Sequence, residues 1–540
     1  MGNEHFSVID YAVFIAYGLL IVFIGLWVSR TKKGKKKTAQ DYFLASKALP
    51  WWAIGASLIA ANISAEQMIG MAGSGFAIGL GIASYEWMAA ITLILVGKYF
   101  LPIFLKKKIY TMPQFLEMRY DGRVRTVMAT FWLLVYVFVN LTSVLYLGAL
   151  ALYTIMGIPL MYGIIGLALF AAIYSIYGGL TAVAWTDVVQ VIFLIGGGLL
   201  TTYLALDAVS GGNGFIAGFK DLLEQAPDKF DMILQKGKLL IPDGQGGMKD
   251  AYIDLPGISV LVGGMWIANI SYWGFNQYII QRGLAAKSIK EAQRGVIFAG
   301  FLKILIPLIV VIPGIAAFVL TKDSSTVIEP SDKAYPWLLH EFVPVGVKGL
   351  AFAALAAAIV SSLASMLNST ATIFTMDIYK RFINKKVSET KMVTVGRITS
   401  FAALVIAVLT ARPLLGNLDQ AFQYIQEFTG FVTPGVVVIF CFGLFWKRIT
   451  ANAALWVAIL TIPLSFAFKI FWSGLPFLDR MGVVFLVLAA IAIIISFIES
   501  KTDDPKGITL YKGLFHTGTP FNIGAIVLCA IVSALYIIFW

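Results

Sequence analysis

About fourteen stretches of this chain are apolar over roughly 20 residues or more, and no other feature restricts the fold as much. They lie near 8–29, 51–75, 79–105, 122–156, 160–179, 184–206, 256–280, 291–320, 345–379, 391–411, 418–446, 451–473, 480–499 and 521–540. Inside a bilayer each backbone N–H and C=O must find a partner within its own segment or a closed barrel, and stretches this long satisfy themselves as helices. A chain that is 59% hydrophobic and 13% charged has too little polar surface to hide them in water. The predicted class is an all-α polytopic membrane protein, one membrane domain over 1–540. The first stretch follows a short polar lead with no charged n-region and no small-residue cleavage site, so it reads as a retained helix.

The net charge of +12 would suit a nucleic-acid binder, but its placement does not. Alternate loops hold most of the 41 basic residues: Arg30 to Lys37, Lys106 to Lys108 with Arg119, Arg123 and Arg125, Lys380 and Arg381 with Lys385, Lys386 and Lys391, and Lys447 and Arg448. The positive-inside rule assigns those loops to the cytoplasm, where they meet anionic lipid. With fourteen crossings, both termini are then expected outside. Cys441 and Cys529 sit in apolar runs and read as buried free thiols, and His5, His340 and His516 are too scattered to form a metal site. An intramembrane enzyme would need a nucleophile or metal set at one depth, and none is legible. A channel would need a repeated filter.

The tetrapeptide Ala-Asn-Ile-Ser occurs twice, at Ala61 to Ser64 and at Ala268 to Ser271, each time in the middle of an apolar segment. Asn and Ser halfway across a membrane are costly unless the backbone breaks there to line a cavity. Paired interruptions in two halves of a chain mark the central site of a secondary transporter. The two copies divide the chain into a repeat over 51–206 and a second over 256–446. They are preceded by an extra helix and basic loop over 1–50, separated by a polar external loop over 207–255, and followed by three helices over 447–540. Five spans per repeat make the two halves run in opposite directions.

Longer motifs then carry a resemblance. Asp41 to Trp52, Tyr177 to Gln190, Ser84 to Trp87 and Phe422 to Glu427 resemble sodium/solute symporters of the sodium/glucose cotransporter family, the last two those of its bacterial sodium/galactose branch. The resemblance implies a LeuT-type 5+5 inverted-repeat core whose first and sixth helices are broken. It also implies a co-transported sodium ion held by Ala60 and Ile63 at the first break and by Ala358, Ser361 and Ser362. The last three share one helix face because they are spaced by three and four. On composition alone, Ser361 and Ser362 would read as small packing residues. Asp187 is expected on the sodium exit route. Ala364 stands where two-sodium members carry a hydroxyl beside Ser365, which favours one sodium per solute.

For the solute, the resemblance points to Asn62, Gln67, Glu86, Asn269, Lys303 and Gln426, hydrogen-bonding groups that are functional candidates wherever they lie within membrane helices. Glu86 and Lys303 compensate each other's charge, which suits a neutral solute. Met71, Tyr85 and Phe422 match an outer gate, and Tyr272 with Trp273 an inner one. Ala89 replaces a serine that the galactose branch directs at its sugar. The expected function is sodium-coupled symport of a hexose, galactose or glucose, by alternating access across a bacterial inner membrane. Another neutral polyol such as an inositol, a sialic acid or an amino acid remain as alternatives.

Overall fold

The computed structural model describes residues 6–30, 38–242, 247–415 and 421–540; His5, the basic run 31–37 and Gly244 to Gly246 lie outside the described residues. Eleven helices among the described residues are long and apolar enough to cross a membrane, from Val8–Val28 to Thr519–Ile538. A twelfth crossing forms if Ala421–Thr429 and Thr433–Phe445, bent by 47°, are taken as one. Two of the fourteen expected stretches, 51–75 and 256–280, are interrupted helices with no piece of crossing length.

The first interruption falls on its motif. Pro50, which cannot donate a backbone bond, precedes the helix Trp51–Asn62, and Ile63 ends it with an extended backbone at ψ 100°. The chain resumes as a π-turn over Glu66–Met71 and a short helix Ala72–Ala77. The second differs from expectation. Ala268 to Ile270 complete the helix Gly264–Ile270, Ser271–Phe275 form a π-turn, and the break comes at Asn276, with ψ 124°. The Asn269 side chain helps hold the motif helical by donating to the Met265 carbonyl one turn back, at 3.2 Å. At the Lys- and Arg-rich end the two interrupted elements meet: Leu49 N–H donates to Ala285 O at 3.1 Å, and Lys287 N–H to Leu49 O at 3.2 Å.

Burial separates centre from rim. In Lys348–Ile383, 94% of the most apolar window is buried within the protein, against 17% in Val8–Val28. Lys348–Ile383 and the long helix Ile289–Thr321 pack around the first interrupted element. The outer helices turn side chains such as Phe471, Ile498 and Ile537 outward, as lipid-facing surfaces do. Cys529 is also exposed, on the outward side of an apolar helix, which corrects the expectation of two buried thiols; Cys441 is half-buried.

The polar segment after Val209 holds the helix Phe215–Gln225 and a two-stranded antiparallel sheet pairing Leu240–Pro242 with Met248–Asp250. It closes over the first interrupted element. Gly79 has φ +102°, and a Cβ there would lie 2.3 Å from the Lys229 carbonyl, so only glycine permits the contact.

Candidate functional site

The break after Asn62 frees backbone groups in the middle of the protein. Ser64 N–H, which would bond Ala60 O in a continuous helix, donates instead to Gln67 Oε1 at 3.1 Å, and Ser64 Oγ donates to the same oxygen at 2.9 Å. Gln67 thereby caps the resumed helix and keeps its NH₂ for other partners. Asn62 spans the break: its Oδ1 accepts from Lys303 Nζ, and its Nδ2 donates to the Tyr272 hydroxyl at 2.9 Å. Lys303 also pairs with Glu86 and stands 4.9 Å from the Trp273 ring centroid. Carried on separate helices, these groups face one cavity of about 1050 Å³, counting its open mouth.

All six residues expected to bind solute, Asn62, Gln67, Glu86, Asn269, Lys303 and Gln426, line this cavity. Four of the five expected gate residues do as well. Tyr85 and Phe422 meet edge to face at 5.1 Å on one side, both almost fully buried. Tyr272 and Trp273 stand 5.3 Å apart on the other, and Tyr272 accepts a 2.6 Å hydrogen bond from the Tyr278 hydroxyl. Met71 is fully buried and does not line the cavity, and Ala89 is likewise packed away from it.

The five residues expected to hold sodium are all buried. Ser362 Oγ donates to Ala61 O at 3.1 Å, which joins Lys348–Ile383 to the first break. Ser361 Oγ donates to Asp187 Oδ1 at 2.5 Å, so Asp187 touches the helix expected to hold sodium. Its other oxygen accepts from Ser57 Oγ at 2.5 Å and lies 3.4 Å from Arg282 Nη2. Arg282 donates as well to Ser365 and to the Tyr278 carbonyl. Asp187 and Ser365 thus share one buried guanidinium. Ala364 offers no side-chain oxygen, and its carbonyl accepts from Ser175 Oγ at 3.2 Å. Among the described residues no cluster of His, Cys, Asp and Glu is arranged to hold a metal ion, so any cation here depends on hydroxyls, carbonyls and Asp187.

The chain matches the family model described as the sodium:solute symporter family over residues 42–461. The chain belongs to that family. Among its sodium:solute symporter relatives, a sodium/glucose cotransporter of Vibrio parahaemolyticus is 55% identical, with 100% of both chains covered. The human sodium/myo-inositol cotransporter 2 is 33% identical over 83% of this chain and 67% of its own length. Among solved structures, a substrate-bound, outward-open Na⁺-coupled sialic acid symporter superposes with a TM-score of 0.79 at 26% identity, covering 93% of this chain and 100% of its own. A nucleobase-cation-symport-1 family transporter has a TM-score of 0.54 at 14% identity, covering 87% and 98%, and shares the fold.

Reasoning from the sequence passed over several residues of this symporter's centre. Tyr136, Asn140 and Asn276 also line the cavity, and the Tyr136 hydroxyl donates to Asn276 Oδ1; Glu66, legible as an ionisable group beside the first break but given no role, lines it too. Each is a polar group at mid-membrane depth or at a break, the signal that singles out such positions. Arg282 carried a weaker signal, because it falls just past the expected end of its span and reads there as one more cytoplasmic charge.

Proposed function

We propose that this symporter imports a neutral hexose, galactose or glucose, together with sodium, by alternating access across a bacterial inner membrane, with both termini outside. The observation that carries the proposal is the Glu86–Lys303–Asn62 chain. The one ammonium lining the cavity among the described residues is committed to a carboxylate and an amide. What remains for a solute is the Glu66 carboxyl and a set of neutral donors and acceptors on Gln67, Asn269 and Gln426, matched to hydroxyls. Aromatic faces at Tyr272 and Trp273 suit the C–H surface of a pyranose ring.

In this reading sodium enters between the carbonyls of Ala60 and Ile63 and the Ala358–Ser361–Ser362 face. It draws the first break and Lys348–Ile383 together, as the Ser362–Ala61 bond already does, and so favours the state that receives sugar. Closure of Tyr85 and Phe422, with Met71 packed behind, seals one side. Loss of sodium past Asp187 loosens the break, and movement of Tyr272 away from Asn62 opens the other.

A neutral polyol such as an inositol is the second reading, favoured by the relative named for myo-inositol. A sialic acid or amino acid suits the cavity less, because its carboxylate would meet no unpaired cation. Uptake of labelled galactose, glucose, myo-inositol and sialic acid into proteoliposomes, with and without an inward sodium gradient, decides among these. Sodium-dependent accumulation of a hexose is the expected result. Accumulation of inositol or sialic acid without hexose uptake would overturn it.

A further inference from the structure

Three charged side chains line the cavity among the described residues: Glu86, Lys303 and Glu66. Glu86 and Lys303 cancel. Glu66 has no ion-pair partner among the described residues. Its Oε1 accepts a 2.5 Å hydrogen bond from Ser143 Oγ, and its own N–H is held by Ser64 Oγ at 3.0 Å. Its carboxylate takes no part in the cap, where Gln67 Oε1 is the acceptor. Ser143 Oγ lies within reach of the Asn140 carbonyl as well, at 2.9 Å. Glu66 also stands in the first turn of the resumed helix, where the partial positive charge of free N–H groups favours an anion. Intramembrane carboxylates without partners are rare enough to count as functional by default.

We propose that Glu66 is a selectivity residue of the solute cavity, a fixed negative charge that excludes anionic solutes and restricts the site to neutral hydroxyl-rich ones. The proposal rests on the sugar reading above and deepens it. With Lys303 neutralised by Glu86, the cavity keeps one net negative charge. A carboxylated solute would enter a low-dielectric space beside a like charge, with no free cation to receive it. A neutral sugar meets the same group as a hydrogen-bond acceptor.

The test is competition against sodium-dependent uptake of labelled galactose in proteoliposomes, using galacturonate and its uncharged methyl ester. The ester is the bulkier of the two, so a steric effect would favour the acid and a charge effect the ester. In the parent protein the ester is expected to inhibit at least about tenfold more strongly than the acid. In Glu66→Gln the two should come within about twofold of each other, whereas Ser143→Ala, which frees the carboxylate but keeps its charge, should retain the difference. Equal inhibition by acid and ester in the parent overturns the assignment whether or not Glu66→Gln folds. So does a folded Glu66→Gln protein that discriminates as the parent does. Absence of any sodium-dependent hexose uptake in the parent overturns the sugar reading itself, and the Glu66 assignment with it.

Discussion

Ser362 ties the central helix to the first break by a single hydroxyl, and alanine at that position keeps the helix while removing the oxygen. Ser362→Ala is therefore expected to fold normally and to raise, severalfold or more, the sodium concentration giving half-maximal uptake. An unchanged sodium dependence would remove Ser362 from the ion site. In the cavity, Gln67→Ala leaves a sugar hydroxyl and Ser64 without a partner, a loss of roughly 1–3 kcal/mol or about ten- to hundredfold in affinity. Lys303→Ala should be worse, because Glu86 then stays buried and uncompensated, a defect of about 3–5 kcal/mol when one member of a buried pair is removed. Binding of labelled galactose to purified protein, with a size-exclusion profile as the folding control, ranks the two. The reverse order would show that the ion pair is only an interhelical staple.

Between elements, one close crossing lies where Ile289–Thr321 passes the short helix Ala72–Ala77. A Cβ on Gly314 would sit 2.1 Å from the Ala72 carbonyl, and backbone cannot swing aside as a flexible side chain can. Gly314→Ala is expected to lower the Tm of the purified protein by more than the same change at Gly166, which has open space around it. The loop contact at Lys229 gives a pH-dependent prediction. Its ammonium is largely buried, donates to the Ala77 carbonyl at 2.5 Å and lies 4.5 Å from the Phe318 ring centroid. Burial pushes it down to about 8, and Asp228 opposes the shift. A lysine depressed from its ordinary value of about 10.4 holds fewer protons folded than unfolded as pH rises past 8, so its burial cost is full below 8 and relieved by about 10.4. Lys229→Met should consequently exceed the parent in Tm at pH 7, with the gap narrowing between pH 8 and 10. A constant gap would show that Lys229 does not titrate in that window.

At the scale of the whole molecule the question is how many ions move with each solute. Arg282 already places a positive charge on Asp187 and Ser365, and Ala364 lacks a hydroxyl, so one sodium per sugar is expected. Reversal potentials in proteoliposomes at several sodium and sugar gradients give the ratio directly. A value near two would mean that Arg282 yields its place to an ion during the cycle.

Composition and spacing determined the membrane class, most of the crossing helices and the first broken helix, because these depend on local properties: apolar length, Pro50 before Trp51, and Asn62 and Ser64 where a span should continue. The polar residues around the cavity could be named because such groups at that depth have few structural uses. Tertiary structure alone decided that the second break falls at Asn276 and not on its motif. It alone joined Arg282 to Asp187 across 95 residues of sequence and left Glu66 without a counter-charge. Charge pairing between helices depends on which faces meet, and no periodicity within one segment encodes its partner in another.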